Sequence, residues 1–266
     1  MERRAHAKIN WMLRITGQRP DGYHHLETIF QTISLHDTLT FTASPSLSLE
    51  CDDPAVPADE TNLVMRAARS LAMDHVHIQL QKRVPSGGGL GGGSSDAATT
   101  LVALAPAEMS GAQLHERALG LGSDVPFFLV GGTAYATGRG EELVSLPTLS
   151  GVPLLLVMPE ARMATGRAFG LLRRFSAPLG LERAKSLVSD VHSLRREELT
   201  NGFEEPVFAE LPELRGFKDR LYESGATFAA MSGSGSTLFG VFPTAATRDA
   251  AARSFPDVRV ESAETL

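Results

Sequence analysis

The chain has 266 residues, a formal net charge of −6 and a composition that is 42% hydrophobic and 21% charged. These values are typical of a globular enzyme or binding protein, and without a Lys/Arg-rich run they argue against a broad basic surface for nucleic acid. The single cysteine, Cys51, excludes an intrachain disulfide and a cysteine metal cluster. No stretch approaches the ~18 to 20 apolar residues of a membrane span. We therefore expect a cytoplasmic protein without membrane or nucleic-acid partners.

Polar and apolar residues alternate in three segments of the first half, which predicts strands at 8–15, 32–42 and 75–84. Leu63, Ala67 and Leu71 have the spacing that places them on one face of a helix over 62–73. Two further helices are predicted at 94–105, with serine or aspartate near its start, and at 111–122, which ends in glycines.

The second half mixes the two element types. A strand, a turn and a strand are predicted at 132–147, a buried strand at 152–160, and mostly helix from Thr165 to about Arg196. The last stretch predicts a helix at 213–225, strands at 226–231 and 236–242 around a glycine turn, and a final helix and strand. Because strands and helices do not alternate regularly, the pattern indicates an α+β fold in two lobes, 1–150 and 151–266.

A run of glycines, PSGGGLGGGSS at 85–95, separates a predicted strand from a predicted helix. Glycine lets backbone N–H groups approach a ligand without obstruction by Cβ. A helix N-terminus presents free N–H groups and the positive end of a dipole. The pattern therefore predicts a phosphate-binding loop, with the hydroxyls of Ser94 and Ser95 as phosphate donors and Ser95 as a candidate ligand of Mg²⁺.

Other interpretations of the glycine run fit less well. A flexible loop would mix in more polar residues and would be bracketed less tightly by strand and helix. Gly87, Gly89 and Gly92 satisfy G-x-G-x-x-G, but a dinucleotide site expects an acidic residue at a strand end about 20 residues on. The nearest candidate, Glu108, lies between predicted helices. A Walker loop needs G-K-[ST], and the run contains no lysine.

The stretch PSGGGLGGGSSDAA resembles the phosphate-binding motif of the galactokinase, homoserine kinase, mevalonate kinase and phosphomevalonate kinase (GHMP kinase) superfamily. Together with PDGYH, its two glycine triplets are similar to those of the 4-diphosphocytidyl-2-C-methyl-D-erythritol kinases, which phosphorylate a cytidine-linked sugar alcohol in the non-mevalonate isoprenoid pathway. Four further stretches follow the expected order: AKIN at 7–10, RPDGYHHLET at 19–28, GSDVPFFL at 122–129 and MSGSGSTLFG at 231–240. The resemblance extends from about residue 5 to residue 242.

The resemblance implies the two-lobed GHMP-kinase fold. Its N-terminal lobe is similar to domain 2 of ribosomal protein S5 and contains a left-handed β–α–β crossover, which most chains avoid. Its C-terminal lobe is ferredoxin-like. The implied reaction is ATP-dependent phosphorylation of the 2-hydroxyl of 4-diphosphocytidyl-2-C-methyl-D-erythritol, with homoserine or mevalonate kinase activity as the alternative.

Three polar residues carry the chemistry that this resemblance implies. Asp124, which position alone would make a helix-terminal or turn aspartate, falls on the catalytic position and would accept or guide the hydroxyl proton. Alternation places Lys8 and Asn10 on one face of their strand, where the pattern alone favours a surface-facing pair. The resemblance places Lys8 beside Asp124, where it would keep that carboxylate ionised and stabilise the transferred phosphate. Asn10 would bind the sugar-alcohol hydroxyls.

The acceptor site is implied at two aromatic positions and their neighbours. His24 would read the cytosine edge, and Tyr23 would pack against the ring, although ordinary hairpin packing explains the pair equally well. Phe169, four residues after Thr165, matches a family aromatic on the other side of the base, with a helix core position as the competing interpretation.

The implied ATP site comprises Asn62, Pro85, Ser86, Gly87, Gly88, Gly89, Leu90, Gly91, Gly92, Gly93, Ser94 and Ser95. Asn62 also has the position of a helix N-cap, which would explain it without a nucleotide. Gly233, Ser234 and Gly235 would close around the transferred phosphate, or form a simple hairpin turn. Mg²⁺ would arrive with ATP, and we expect a monomer or weak homodimer.

The sequence departs from the family pattern at three positions. His6 stands where proline is usual, Trp11 where leucine is usual, and Asp96 where asparagine is common. None of these changes removes a residue that the chemistry needs, although Trp11 is expected to reshape the pocket wall beside Asn10.

Overall fold

The computed structural model describes residues 1–188 and 197–266. The chain forms two compact units that alternate along the sequence. The first unit comprises Met1–Ala7, Leu35–Ser86 and Gly91–Gly131, and the second comprises Lys8–Ser34, Gly87–Leu90 and Gly132–Leu266. The division of the sequence into 1–150 and 151–266 stays a prediction.

The strands of the described part are β1 (Glu2–Gln18), β2 (His24–Ala43), β3 (Ser48–Cys51), β4 (Val76–Gln81), β5 (Thr133–Thr137), β6 (Glu142–Leu146), β7 (Pro153–Met158), β8 (Phe228–Met231), β9 (Leu238–Val241) and β10 (Arg259–Glu264). The helices there are α1 (Leu63–Ser70), α2 (Gly92–Leu104), α3 (Gly111–Leu121), α4 (Val125–Val130), α5 (Thr165–Leu171), α6 (Leu181–Val188), α7 (Glu204–Glu210), α8 (Glu213–Glu223) and α9 (Ala245–Ala252). This mixture confirms the predicted α+β class. Among the described residues, no helix combines the length and apolarity that crossing a membrane requires.

In the first unit, β4 is the central strand. It pairs parallel with β3 and antiparallel with residues 38–43 of β2. Because α1 connects the two parallel neighbours, β3, α1 and β4 form a β–α–β unit. The left-handed crossover that the resemblance implies would lie here, and its hand stays a prediction.

Helix α1 forms because its apolar residues recur on one face and its first turn is capped. Asn62 accepts a hydrogen bond from the Val64 amide, as an N-cap residue does. Ala67 and Leu71 pack with Ala97 and Leu101 of α2 in the core of this unit. The predicted shared face is thus confirmed, although the helix ends at Ser70 rather than at 73.

The second unit contains two sets of paired strands. Residues 28–31 of β2 pair antiparallel with β5, which pairs antiparallel with β6. A second sheet has the order β10-β7-β9-β8, and every neighbouring pair in it is antiparallel. Helix α8 precedes β8 and helix α9 follows β9, which gives the β–α–β–β–α–β order of a ferredoxin-like sheet. The ferredoxin-like prediction is confirmed.

The sequence reading missed three short elements, β3, α4 and α7. Each has seven residues or fewer, too short for a period to stand out. The prediction of mostly helix from 165 to 196 holds for α5 and α6, but 172–180 contains no helix, and 189–196 lies outside the described residues.

Candidate active site

Residues 87–90 of the glycine run pack against a second glycine-rich turn of the same unit. Gly89 has φ +79°, and a Cβ there would lie 2.0 Å from the carbonyl oxygen of Ser232. The Ser232 hydroxyl donates to the Gly89 carbonyl at 2.9 Å, and the Thr237 amide donates to the Gly88 carbonyl at 3.2 Å. Position 89 therefore needs glycine because the protein's own backbone approaches it. The sequence analysis explained the glycines by a ligand and did not predict this contact.

Lys8 and Asn10 meet at this junction. Both side chains are 3% exposed, so the surface-facing interpretation of the pair is wrong. The Lys8 ammonium donates to Asn10 Oδ1 at 2.7 Å and to the Gly89 carbonyl at 2.9 Å. Asn10 Nδ2 donates to the Thr28 hydroxyl at 2.7 Å. One buried cation thus connects β1 to the first glycine triplet.

The turn at 233–235 is held by the same amide. The Gly233 backbone N–H donates to Asn10 Oδ1 at 2.9 Å. Asn201 Nδ2 donates to the carbonyls of Gly233 at 2.8 Å and Met231 at 2.7 Å. The Ser234 and Thr165 hydroxyls lie 3.1 Å apart and share a hydrogen bond. The predicted phosphate-closing turn and predicted acceptor residue Thr165 are therefore direct neighbours.

Helix α2 opens at the second glycine triplet. It begins at Gly92, two residues before the predicted serines, and its N-cap Gly91 has φ +71°. No side chain among the described residues caps it, and its first turn holds no acidic residue. Because the first N–H groups of a helix lack intrahelical partners, this end is suited to an anion.

Ser95 does not face that open end. Its side chain is buried, and its hydroxyl donates to the His6 carbonyl at 2.6 Å. This geometry does not fit a ligand of Mg²⁺, so we derive no step through a protein-bound metal.

Beneath the start of α2 lies a buried cluster of three charged side chains. Lys82 Nζ contacts Asp37 Oδ2 and lies 2.8 Å from Asp96 Oδ2. Burial lowers the pKa of Lys82, but the two carboxylates outweigh it and hold that pKa above its ordinary value. Burial, offset only in part by Lys82, raises the pKa of Asp96 from 3.8 to about 7. Asp96 Oδ1 is buried without a hydrogen-bond partner among the described residues.

Asp124 stands at the N-cap position of α4, in αR conformation and followed by Val125 and Pro126. It thus lies in the short connection between α3 and α4, the helix-terminal position that its sequence context predicts. Within the described chain, its side chain makes no capping hydrogen bond. Asp124 belongs to the first unit and Lys8 to the second, and their predicted proximity stays a prediction.

The predicted acceptor residues form an aromatic group in the second unit. The His24 and Phe169 rings are stacked with centroids 4.6 Å apart and planes 18° apart. Phe175 contacts His24 from another direction, at 6.1 Å and 56°. Burial lowers the pKa of His24 below 6.5, so at neutral pH the imidazole has one donor and one acceptor nitrogen. Tyr23 is exposed, with the Arg139 guanidinium 5.1 Å from its ring centroid.

Comparison with known proteins shows the family and the fold. The GHMP kinases N terminal domain family matches residues 62–132, and the GHMP kinases C terminal family matches residues 184–259. The 4-diphosphocytidyl-2-C-methyl-D-erythritol kinase of Chlorobium chlorochromatii (strain CaD3) is 44% identical over 268 residues, covering 96% of this chain and 93% of that protein. The protein of that name from Solibacter usitatus (strain Ellin6076) is 45% identical, covering 90% and 80%.

The chain belongs to the 4-diphosphocytidyl-2-C-methyl-D-erythritol kinase family of GHMP kinases. A crystal structure of 4-(cytidine 5'-diphospho)-2C-methyl-D-erythritol kinase matches with a TM-score of 0.85 and 35% identity, covering 100% of this chain and 99% of that one. The mevalonate kinase of Methanococcus jannaschii matches with a TM-score of 0.70 but 13% identity, which supports the shared fold alone.

In this GHMP kinase, Asn62 has a structural role that its sequence position predicted. Its side chain caps α1 through the Val64 amide at 2.9 Å and donates to the Pro57 carbonyl at 2.7 Å. Both ends of the amide are thus engaged with the protein. Its contact to the nucleotide stays a prediction.

Sequence reasoning missed several residues that shape the site. Asn201 orders the 233–235 turn, Lys82 and Asp37 support α2, and Glu27 accepts three hydrogen bonds in the second unit. Only Glu27 had a local signal, because it lies within the quoted stretch RPDGYHHLET. The others become recognisable only when distant segments meet.

Proposed function

We propose that this chain transfers the γ-phosphoryl group of ATP to the 2-hydroxyl of 4-diphosphocytidyl-2-C-methyl-D-erythritol, giving the 2-phosphate and ADP in non-mevalonate isoprenoid biosynthesis. The observation that carries the proposal is the buried Lys8 ammonium. It is fixed to the glycine loop through Gly89 and to the 233–235 turn through Asn10. The names of relatives at 44% and 45% identity support the acceptor.

The phosphates of ATP would lie at the open end of α2, where uncapped N–H groups favour negative charge. Lys8 would stabilise the charge of the group in transfer, because a preorganised cation in a water-poor site stabilises charge that develops during reaction. The hydrogen bonds of Lys8 hold the ammonium in place before the substrates bind, so little reorganisation is needed.

The cytosine of the acceptor would bind at the His24 group. Since the His24 and Phe169 rings are only 4.6 Å apart, a base cannot lie between them unless they separate. Phe169 also packs against Phe203, with ring centroids 4.9 Å apart, so stacking would use the exposed Tyr23 ring. The neutral imidazole would offer a donor and an acceptor to the base edge.

Asp124 would accept or orient the proton of the acceptor hydroxyl. Mg²⁺ would enter with ATP and neutralise phosphate charge. We place the enzyme in the cytoplasm as a monomer or weak homodimer without membrane or nucleic-acid partners, in keeping with a chain that has one cysteine and no Lys/Arg-rich run.

A coupled ADP-release assay tests the function directly. The enzyme is offered ATP with the cytidine-linked acceptor, with homoserine or with mevalonate, each at matched concentration. We expect turnover with the cytidine acceptor alone. Turnover only with homoserine or mevalonate would assign a different GHMP activity, and nucleotide binding without any turnover would indicate a regulator that kept the fold.

The base assignment has its own test in Asp124→Asn. The amide keeps the size of the side chain but cannot take a proton, so we expect kcat to fall by about 10²- to 10⁴-fold. ATP binding, measured by calorimetry, should stay within twofold of the wild-type value. A near wild-type rate would show that another group guides the proton.

A further inference from the structure

We propose that residues 172–180 form part of the acceptor-binding site, with Phe175 as a further specificity-determining residue and Glu27 as the residue that positions it. This inference rests on the proposed function, because it assigns a further wall to the site for the base.

The first observation is the placement of Phe175. It lies outside any helix or strand, its ring is 52% exposed, and it contacts the His24 ring at a centroid distance of 6.1 Å. An exposed large aromatic ring loses favourable contact with apolar atoms unless a ligand or partner covers it. The neighbouring ring is the imidazole of His24, which is proposed to bind the cytosine. The cytosine is therefore the ligand that would cover the Phe175 ring.

The second observation is the anchoring of the segment that carries Phe175. The Glu27 carboxylate is buried and accepts hydrogen bonds from the backbone N–H groups of Leu179 at 2.5 Å and Gly180 at 2.6 Å. The Tyr135 hydroxyl also donates to it, at 2.6 Å. Burial and the adjacent carboxylate raise the pKa of Tyr135, so its hydroxyl stays protonated and remains a donor.

Two hydrogen bonds to the backbone of residues 176 and 177 hold the middle of the segment. The Ser176 amide donates to the Ile15 carbonyl at 2.7 Å, directly after Phe175. Arg14 Nη1 donates to the Ala177 carbonyl at 3.1 Å. The segment has no helix or strand hydrogen bonds of its own to order it, so these tertiary contacts and Glu27 determine where the Phe175 ring lies.

The position of Glu27 joins the two observations. It is three residues after His24 on β2, so the strand that presents the imidazole also fixes the segment that brings Phe175 against it. A charged acceptor with two backbone N–H donors and a hydroxyl donor makes stronger hydrogen bonds than a neutral one. This arrangement fixes the distance between the Phe175 and His24 rings, and it favours a flat ligand that can stack, such as a pyrimidine.

Steady-state kinetics of Phe175→Ala test whether Phe175 contributes to acceptor binding. We expect KM for the cytidine acceptor to rise about 5- to 150-fold, the range that loss of one base-stacking ring gives, with kcat and KM for ATP within twofold. Phe175→Leu should recover part of the loss, because it keeps apolar bulk without the aromatic face. The matched control is Val102→Ala, an exposed apolar residue on α2, which should leave all constants unchanged.

A double-mutant cycle tests the positioning role. Glu27→Gln places an amide NH₂ where two backbone N–H groups donate, so we expect KM for the acceptor to rise with kcat preserved. If Glu27 acts through Phe175, then adding Glu27→Gln to Phe175→Ala should raise KM no further. Should Glu27→Gln fail to fold, Tyr135→Phe takes its place, since it removes one hydrogen bond of the three.

The outcomes separate the two proposals. A wild-type enzyme that does not phosphorylate the cytidine acceptor overturns the proposed function. An active wild type whose Phe175→Ala variant keeps its acceptor KM overturns the inference about the wall. Effects of Glu27→Gln and Phe175→Ala that multiply, or a Glu27→Gln variant that changes kcat and both KM values alike, overturn the positioning role.

Discussion

Two lysines in the described part of the chain have buried side chains, and their partners differ in kind. Lys82 is 5% exposed in its side chain and contacts two carboxylates, those of Asp37 and Asp96. Lys8 is also buried, but its ammonium donates to the amide oxygen of Asn10 and to the carbonyl of Gly89. The first cation is matched by charges of its own unit, whereas the second is fixed at the loop and turn proposed to hold a transferred phosphate.

This difference teaches how a buried cation can serve folding or chemistry. Removing one member of a buried charge cluster leaves the others uncompensated, which is strongly destabilising. The oxygens that receive Lys8 have second donors, since the Gly233 amide also reaches Asn10 Oδ1 and the Ser232 hydroxyl also reaches the Gly89 carbonyl. Loss of Lys8 should therefore leave these oxygens hydrogen-bonded. We expect Lys82 to matter chiefly for stability and Lys8 chiefly for turnover.

The largest effect should come from Lys82→Met. It leaves the buried carboxylates of Asp37 and Asp96 without their cation, so the free energy of unfolding should fall by about 3–5 kcal/mol. Urea unfolding at pH 7 measures it. The matched control is Arg69→Met, because Arg69 also contacts two carboxylates, Glu60 and Asp74, but is 49% exposed. The free energy of unfolding of that variant should fall by less than about 1 kcal/mol. Equal losses in the two variants would show that burial does not explain the effect of Lys82→Met.

Lys8→Met should reduce kcat by about 10²- to 10³-fold, the effect of losing one preorganised group that stabilises transition-state charge. Its unfolding free energy should fall by less than that of Lys82→Met, because Asn10 Oδ1 and the Gly89 carbonyl keep their other donors. The ADP-release assay and urea unfolding on the same preparation give both values. The contrast between the two lysines would be wrong if Lys8→Met lost as much unfolding free energy as Lys82→Met, or if it kept the wild-type kcat.

The smallest effect concerns the pH dependence of the Lys82 cluster. The folded state raises the pKa of Asp96 from 3.8 to about 7, so the folded chain holds this proton more tightly than the unfolded chain does. The stability that Asp96 contributes is thus fully present below pH 3.8 and is lost as the pH rises to about 7. Relative to Asp96→Asn, the wild type should lose about 2 kcal/mol between pH 5 and 7.

Unfolding of both proteins at matched pH values measures that difference and cancels the other titrating groups, which the two share. A constant difference would mean that Asp96 does not titrate in this range. That result is expected if Lys82 keeps the carboxylate ionised at pH 5, because a group ionised in both states contributes no slope.

The site residues that were predictable lie in local motifs. The glycine run predicted an anion site because glycines before a helix combine accessible N–H groups with the helix dipole. The resemblance singled out Lys8, Asn10, His24 and Phe169. In the structure Lys8 contacts Asn10, and His24 stacks on Phe169. Their roles in catalysis and binding stay predictions, as do those of Asp124 and Ser94.

Other features escaped the sequence because long intervals separate their parts. Asp37 and Lys82 are 45 residues apart, and Glu27 and Gly180 are 153 apart. The sequence predicts the start of helix α2 two residues too late because glycine has poor helix propensity. Packing overrides that propensity, since a Cβ on Gly92 would lie 2.9 Å from Val84 Cγ1.

The sequence by itself determined the α+β class, the family and the location of the glycine loop, because periodicity and glycine spacing are properties of neighbouring residues. Only the tertiary structure decided that Lys8 and Asn10 are buried, that Gly89 admits the backbone of Ser232, and that Glu27 holds the segment carrying Phe175. These facts depend on which distant backbone approaches which side chain. Burial and hydrogen bonding across such contacts exist only once the chain has folded.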